Sequence, residues 1–336
     1  MMIPLTSFLK MLALSVCLVP VFITCKGQNN TAMNKTSQPL LCDTATGVCA
    51  MPGQEDQAHS AALAGTGTRP VRIIYFTDPI CSSCWGIEPQ LRKLKLEYGD
   101  DIQIEYHMGG LLRDWNYNSG GISKPSDVAH HWDEVSRHYN MPIDGDVWLQ
   151  DPLASSFPPS IAFKAAQLQD EAGAIAFLRI LREMVFLERK NITRWEHLEK
   201  AAGMAGLDTL LLREDYEGRA RAAFETDLKL AAGMGVRGFP TVFVADTSGR
   251  TEVVYGFRPY EHFERAIRQI YPAAEKRTYG TAWEQLFSYY PTLTVRELAE
   301  LGNMTLPEAG SLLNKLLSEG KVRVVETKNG NLYKKK

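Results

Sequence analysis

Two cysteines three residues apart, set between a strand and a helix, constrain this chain more than any other feature. Val71-Arg-Ile-Ile-Tyr-Phe76 is a short apolar, β-branched and aromatic run, the pattern of a buried strand. Asp78-Pro79 reads as a turn. Cys81-Ser82-Ser83-Cys84 comes next, and a helical pattern runs from there through Tyr98. Cysteines at i and i+3 at the start of a helix can meet. A helix N-terminus carries unsatisfied N–H groups and partial positive charge. A thiolate at Cys81 is therefore expected to have a depressed pKa. One ionised sulfur, with a second in reach to resolve a mixed disulfide, is what thiol–disulfide exchange requires. Taken alone, the spacing also suits zinc.

The N-terminus bears on the compartment. Lys10 precedes an apolar run from Met11 to Ile23, about the length of a signal h-region and short for a membrane span. Residues 1–25 are predicted to be a signal. Cys25 stands where a bacterial lipoprotein carries its lipid-modified cysteine, although small residues are expected at the two positions before it and Ile23 is not small. The expectation is a cell-envelope protein, in the periplasm or on the outer surface, anchored to the membrane through Cys25 without a spanning helix. A plain cleaved signal and an uncleaved anchor are the alternatives. The net charge of −2 gives no overall field toward nucleic acid or membrane. Beyond Cys17 and Cys25, four cysteines remain, an even number that in an exported chain favours disulfide chemistry over metal.

Residues 26–69 are polar and aperiodic and read as a linker. Its one island is Leu40-Leu-Cys42-Asp-Thr-Ala-Thr-Gly47-Val-Cys49. Asp43 and Gly47 are turn formers, so Cys42 and Cys49 can close a small loop. Three readings stand: a local structural disulfide, a second redox pair that exchanges with Cys81–Cys84, and half of a four-cysteine zinc site. The six-residue spacer is wide for zinc, and no metal ligand is assigned.

Ile102 to Met108 alternates and is predicted to be a second strand, followed by a Gly109-Gly110-Leu111 turn. Strand, helix, strand makes a βαβ unit. Residues 113–150 look irregular; Trp115, Tyr117, Trp132, Tyr139 and Trp148 suit a lid or groove, or ordinary packing. His130, His131 and His138 lack the spacing of a ligand set. Helical spacing takes over in Ser160–Leu168, Glu171–Lys190, Arg194–Ala202 and Asp208–Gly233. Gly238-Phe239-Pro240-Thr241 then opens a strand, Asp246 to Gly249 is a hairpin turn, Thr251 to Tyr255 is its partner, and Tyr260 to Ile270 is an amphipathic helix.

That order, with Cys-x-x-Cys after the first strand and Gly-x-Pro-Thr before the third, resembles the thioredoxin superfamily. The helical insertion, about residues 155–234, points to its DsbA-like branch. Asp-Pro-Ile-Cys-Ser-Ser-Cys-Trp-Gly, the Gly109-Gly110-Leu111 turn and Gly238-Phe-Pro-Thr together look most like FrnE-type oxidoreductases and the related bacterial protease-adaptor proteins. The likeness spans about residues 70–272, within a domain expected at 70–275, and implies an α/β thioredoxin fold. It implies Cys81 as the attacking thiolate, Cys84 as the resolving thiol, and Pro240 as the cis-proline lying against them. Phe239 would then offer backbone groups to a substrate strand, with Thr241 beside it and Trp85 on the rim. Glu88 and Asp78 are the candidate proton acceptors; the alternative is that both are surface carboxylates favourable near a helix N-terminus. The resemblance implies protein thiol or disulfide clients, an upstream redox partner and no cofactor. Two features depart from it: Ser82-Ser83 lacks the histidine of strongly oxidising members, and Phe239 is bulky. The leading expectation is an exported protein disulfide oxidoreductase, an enzyme. The alternative is an adaptor that presents clients to another machine; the related adaptors are cytosolic, which the signal argues against.

Residues 279–336 form a separate pattern: helices at Thr281–Tyr289, Thr294–Leu301 and from Thr305 to Ser318, then strands about Val322–Val325 and Asn331–Tyr333 around Lys328-Asn329-Gly330. Three helices and a hairpin resemble a winged helix, a small α+β domain. Its basic residues are few and partly confined to the terminal tail, thin for a phosphate-binding face. A protein-docking or dimerising module is expected, with no nucleic-acid partner.

Overall fold

A computed structural model of the chain describes residues 42–44, 46–50, 69–117 and 124–336. The apolar run at 11–23, Cys25 and most of the linker lie outside the described residues, and with them the export and lipidation expectations. Among the described residues no helix is long and apolar enough to cross a membrane.

Strands β1 (Cys42–Asp43) and β2 (Val48–Ala50) come first. Then β3 (Val71–Thr77), helices α1 (Ser82–Gly86) and α2 (Glu88–Tyr98), and β4 (Ile102–Met108) make the βαβ half, with β4 parallel to β3. A helical stretch follows: α3 (Pro125–Tyr139), α4 (Val147–Gln150), α5 (Phe157–Gln169), α6 (Glu171–Phe186), α7 (Trp195–Met204), α8 (Thr209–Glu217) and α9 (Ala220–Gly233). The closing half is β5 (Gly238–Phe239), β6 (Thr241–Asp246), β7 (Thr251–Tyr255) and α10 (Tyr260–Ile270). The main sheet has the order β4-β3-β6-β7, with β6 antiparallel to both neighbours. This is the thioredoxin fold with a helical insertion. Strand β3 pairs on both edges, so nearly all of it is buried and it reads as a continuous apolar run rather than an alternation.

Four features of the thioredoxin domain differ from the expected pattern. Residues 113–150 contain a fifteen-residue helix, α3. Val128, Ala129, Trp132, Val135, Ser136 and Tyr139 bury one helical face, and Pro125 suits its first turn. Trp132 meets Trp148 edge to face at 5.2 Å, and these two with Tyr139 are core rather than lid. The predicted helix over 208–233 is two, broken between Glu217 and Ala220. The redox helix is interrupted at Ile87, and Pro89 begins the second piece, where a missing N–H costs nothing. Finally, part of the linker belongs to the fold. Val48–Ala50 pairs antiparallel with β5, with Cys49 opposite Phe239, making a small sheet β1-β2-β5.

The C-terminal module comprises α11 (Trp283–Tyr289), β8 (Thr292–Thr294), α12 (Val295–Gly302), α13 (Leu306–Ser318), β9 (Val322–Thr327) and β10 (Gly330–Lys335). The unforeseen β8 completes a three-stranded sheet β8-β10-β9. Thr294/Glu297 and Thr305/Glu308 are capping boxes that start α12 and α13. The module has its own core around Leu286, Leu298, Leu313 and Val322. Its hairpin tip is engaged with the thioredoxin domain: Lys328 reaches Asp133 at 2.5 Å and Asp146 at 2.9 Å, and Asn329 donates to Asp133 and to the Ile143 carbonyl. Helix α12 packs on α2.

Candidate active site

Cys81 is the N-cap of α1. Its sulfur accepts from the Cys84 N–H at 3.1 Å, as the helix-start geometry dictates. Both cysteines are free thiols and fully buried. The Phe239–Pro240 bond is cis. The Phe239 ring points inward onto Gly109, where a Cβ would overlap it, and only its backbone faces the incoming strand. Thr241 is buried and its hydroxyl donates to the Gly238 carbonyl at 2.6 Å.

What lies on this backbone edge is the chain's own β2. The Cys81 thiol donates to Cys49 Sγ at 3.4 Å, and Ser83 Oγ is 3.4 Å from the same sulfur. Cys49 is disulfide-bonded, and Cys42 is its Cα partner across the β1–β2 ladder. The seat fits a strand closely. A Cβ on Gly238 would fall 2.5 Å from a Val48 methyl, and one on Gly256 would fall 2.3 Å from the Thr46 carbonyl. The floor is equally specific. Ser83 bonds Tyr139 Oη at 2.6 Å, Tyr139 stacks on Phe257, and the Phe257 N–H donates to the Gly47 carbonyl at 2.7 Å.

Cover changes the electrostatics expected for the pair. Burial pushes the Cys81 thiol up, and its hydrogen bond to Cys84 adds to this; the Cys84 N–H and Arg182 act the other way without prevailing. Cys84 goes down. Burial opposes its thiolate, but the Cys81 hydrogen bond, the Arg182 charge and the Thr77 and Tyr75 hydroxyls outweigh burial. Of the two sulfurs, Cys84 is therefore the one favoured to ionise and Cys81 the one favoured to keep its proton, and the depressed pKa expected for Cys81 is not found in this covered state.

Arg182, from α6, is the main residue missed by sequence reasoning. It is almost fully buried and donates to Thr77 Oγ1 at 2.6 Å and to Glu88 at 3.0 Å. Glu88, a candidate proton acceptor, is thereby ion-paired, with Arg92 at 3.6 Å as a second partner. Trp85, expected on the rim, is fully buried, stacked on Phe186 under the Arg179 guanidinium, because α3 and α6 cover it.

Asp78 is buried and accepts from the Ile80 and Leu111 amides and the Ser156 hydroxyl, tying the pre-cysteine turn to the turn after β4 and to α5. Burial raises its pKa from 3.8 to about 6 despite these bonds. An acid raised on folding binds its proton more tightly when folded. Its favourable contribution is full below the ordinary value and lost as pH rises through about 6. The stability difference between wild type and Asp78→Asn, from urea unfolding, is therefore expected to change between about pH 4 and pH 6; a flat difference over that window contradicts the assignment. Among the described residues no cluster of His, Cys, Asp or Glu is placed to hold a metal.

Known proteins can be set beside this geometry. The thioredoxin family profile matches residues 75–265. The ClpXP adapter protein SpxH of Halalkalibacterium halodurans is 32% identical over 299 residues, covering 87% of this chain and 96% of that protein. SpxH of Bacillus subtilis is 29% identical over 289 residues, covering 84% and 95%. These spans exceed the profile's, so the likeness runs beyond the thioredoxin core. Among solved structures, a candidate protein disulfide isomerase from Nitrosomonas europaea superposes with a TM-score of 0.51 at 20% identity, covering 60% of this chain and 95% of its own, a likeness of fold.

Proposed function

Because the chain belongs to the thioredoxin family and shares it with the SpxH adapters, we propose that it is a client-binding protein of the adaptor kind. It holds an extended, cysteine-bearing segment by strand addition along Gly238–Phe239 and presents that client to another machine. One observation carries this reading: β2 seated on β5 with Cys49 Sγ 3.4 Å from Cys81 Sγ. Strand addition supplies affinity through main-chain hydrogen bonds, and the sulfur contact supplies selectivity for cysteine. The full-length match to proteins named as ClpXP adapters supports presentation as the outcome.

A second reading, an oxidoreductase that turns over on protein thiols, is favoured by the free dithiol at a helix start. In either reading we place the protein at the cell envelope, tethered through Cys25, on the strength of residues 1–25; recovery in the cytosolic fraction would remove that placement. An exported adaptor hands its client to a machine of that compartment.

The two readings part in one assay. A fluorescent extended peptide with a single cysteine is titrated against full chain, beside its serine twin. The adaptor reading expects the cysteine peptide to bind about tenfold tighter, an advantage lost in Cys81→Ala. Equal binding of the twins, with repeated oxidation or reduction of a dithiol peptide, makes the protein an enzyme instead.

A further inference from the structure

We propose that Cys42, the Cα partner of Cys49 in the β1–β2 ladder, is the other half of the Cys49 disulfide, and that this disulfide is an internal redox partner of Cys81–Cys84, so that this segment is both the resident occupant of the client groove and its first substrate. The proposal deepens the reading above and rests on Cys81 being able to exchange.

Three observations place the segment as a substrate rather than as passive cover. Val48–Ala50 adds to the backbone edge next to Pro240, with Cys49 directly opposite Phe239. Gly238 and Gly256 leave room for Val48 and Thr46 that any Cβ would fill. The Cys49 sulfur, already in a disulfide, lies 3.4 Å from the free Cys81 sulfur across 32 residues of sequence. A disulfide that only braced the linker has no need to bring one sulfur against a free thiol at the floor of the groove.

The exchange balances without an outside oxidant. The Cys81 proton passes to Cys84, whose sulfur accepts it. The Cys81 thiolate attacks Cys49 Sγ; the Cys81–Cys49 bond forms, the Cys49–Cys42 bond breaks, and Cys42 leaves as a thiolate that takes up a proton. Cys84 gives up its proton and attacks Cys81; the Cys81–Cys84 bond forms, and Cys49 leaves and is protonated. Two electrons move from the Cys81–Cys84 pair to the linker pair; of the two protons taken up there, one is the proton passed within the pair and the other comes from solvent, and the reverse sequence returns them. Either direction can end with the segment free to leave the groove, so the redox state of the linker sets access to the client edge.

The test uses full-length Cys84→Ser, with Cys84→Ala alongside in case serine disturbs the buried site. Each is prepared with Cys81 reduced and the linker disulfide intact, alkylated with N-ethylmaleimide, and mapped under non-reducing conditions. The expected product is a Cys49–Cys81 cross-link within one chain with alkylated Cys42. It should fall at least about tenfold when Val48→Asp, which puts a charge against the apolar seat, is added. Two results overturn the relay and are told apart by glutathione disulfide. An intact Cys42–Cys49 bond with Cys81 alkylated, in protein whose Cys81 does form a mixed disulfide with glutathione, removes the relay and leaves Cys81 as an exchanging thiol. A Cys81 that reacts with neither removes both.

Discussion

Arg182→Met is expected to destabilise the protein by roughly 3–5 kcal/mol, the cost of breaking a buried ion pair from one side. Its guanidinium bridges Glu88, Thr77 and the Asp78 carbonyl in a site almost without solvent. Methionine fills much of the volume but leaves the Glu88 carboxylate short of a partner. A second consequence separates this from a simple loss of packing. Arg182 is one of the groups that lower the Cys84 pKa. Without it the Cys84 pKa should rise, because a nearby opposite charge no longer favours the thiolate. Cys84's folded pKa is lowered, so its contribution to stability is present above the ordinary thiol value and is lost as pH falls through the folded one. The variant should therefore lose the alkaline part of the wild-type stability profile. Thiolate absorbance near the ultraviolet edge, followed against pH, is the direct readout. An unshifted titration in a folded variant would show that the arginine is structural only.

Glu297→Gln should produce a loss of similar size, roughly 3–5 kcal/mol, in a different place. Glu297 is fully buried at the start of α12. It meets Arg179 at 2.7 Å and Arg92 at 3.0 Å, and its carboxylate also accepts from the Thr294 N–H. Burial alone would raise its pKa, but the two arginines and these bonds hold it below the usual value. That contribution is present above the ordinary carboxylate value and lost as pH falls through the depressed one. The glutamine keeps the shape and removes the charge, leaving two buried guanidiniums facing each other. The expected phenotype is a module that comes off the thioredoxin domain: a midpoint of thermal unfolding lower by about 10 °C and new proteolytic cleavage between Tyr271 and Trp283. Unchanged cleavage and midpoint would mean that the hairpin tip, through Lys328 and Asn329, suffices to hold the module.

These two variants act on one connected network. Glu88 pairs with Arg182 beneath the cysteines and with Arg92, and Arg92 pairs with Glu297 of the module. Arg179 joins Glu297 to Glu183 and covers Trp85, the residue after Cys84. The C-terminal module is therefore coupled to the floor of the site through buried charge.

How much of this was legible beforehand depends on the range of the interactions involved. The strand before the cysteines, the helix after them, Pro240 at the head of β6, and the capping box at Thr305 are local, written in period and cap chemistry. Helix α3 is equally local: the spacing Val128, Ala129, Trp132, Val135, Tyr139 after Pro125 carries its signal. The break at Ile87 was signalled by Pro89. Strand β8 is three residues long and exists because β10 lies beside it, so no local pattern announces it.

Residue order alone determined that a dithiol sits at a helix start within a thioredoxin-like βαβ and ββα frame. It did so because strand and helix periods, turns and caps act over a few residues. Only the tertiary structure decided what surrounds the dithiol. Arg182 arrives from a helix of the insertion, Glu88 is claimed by arginines rather than left to take a proton, and a linker strand carrying Cys49 fills the groove. The Cys81–Cys49 and Arg182–Thr77 meetings join residues 32 and 105 positions apart. They depend on how helices and strands pack, which no short window of sequence encodes. The pair that looked in isolation like an exposed, ionised nucleophile is, in the folded chain, a covered dithiol held against a disulfide of its own.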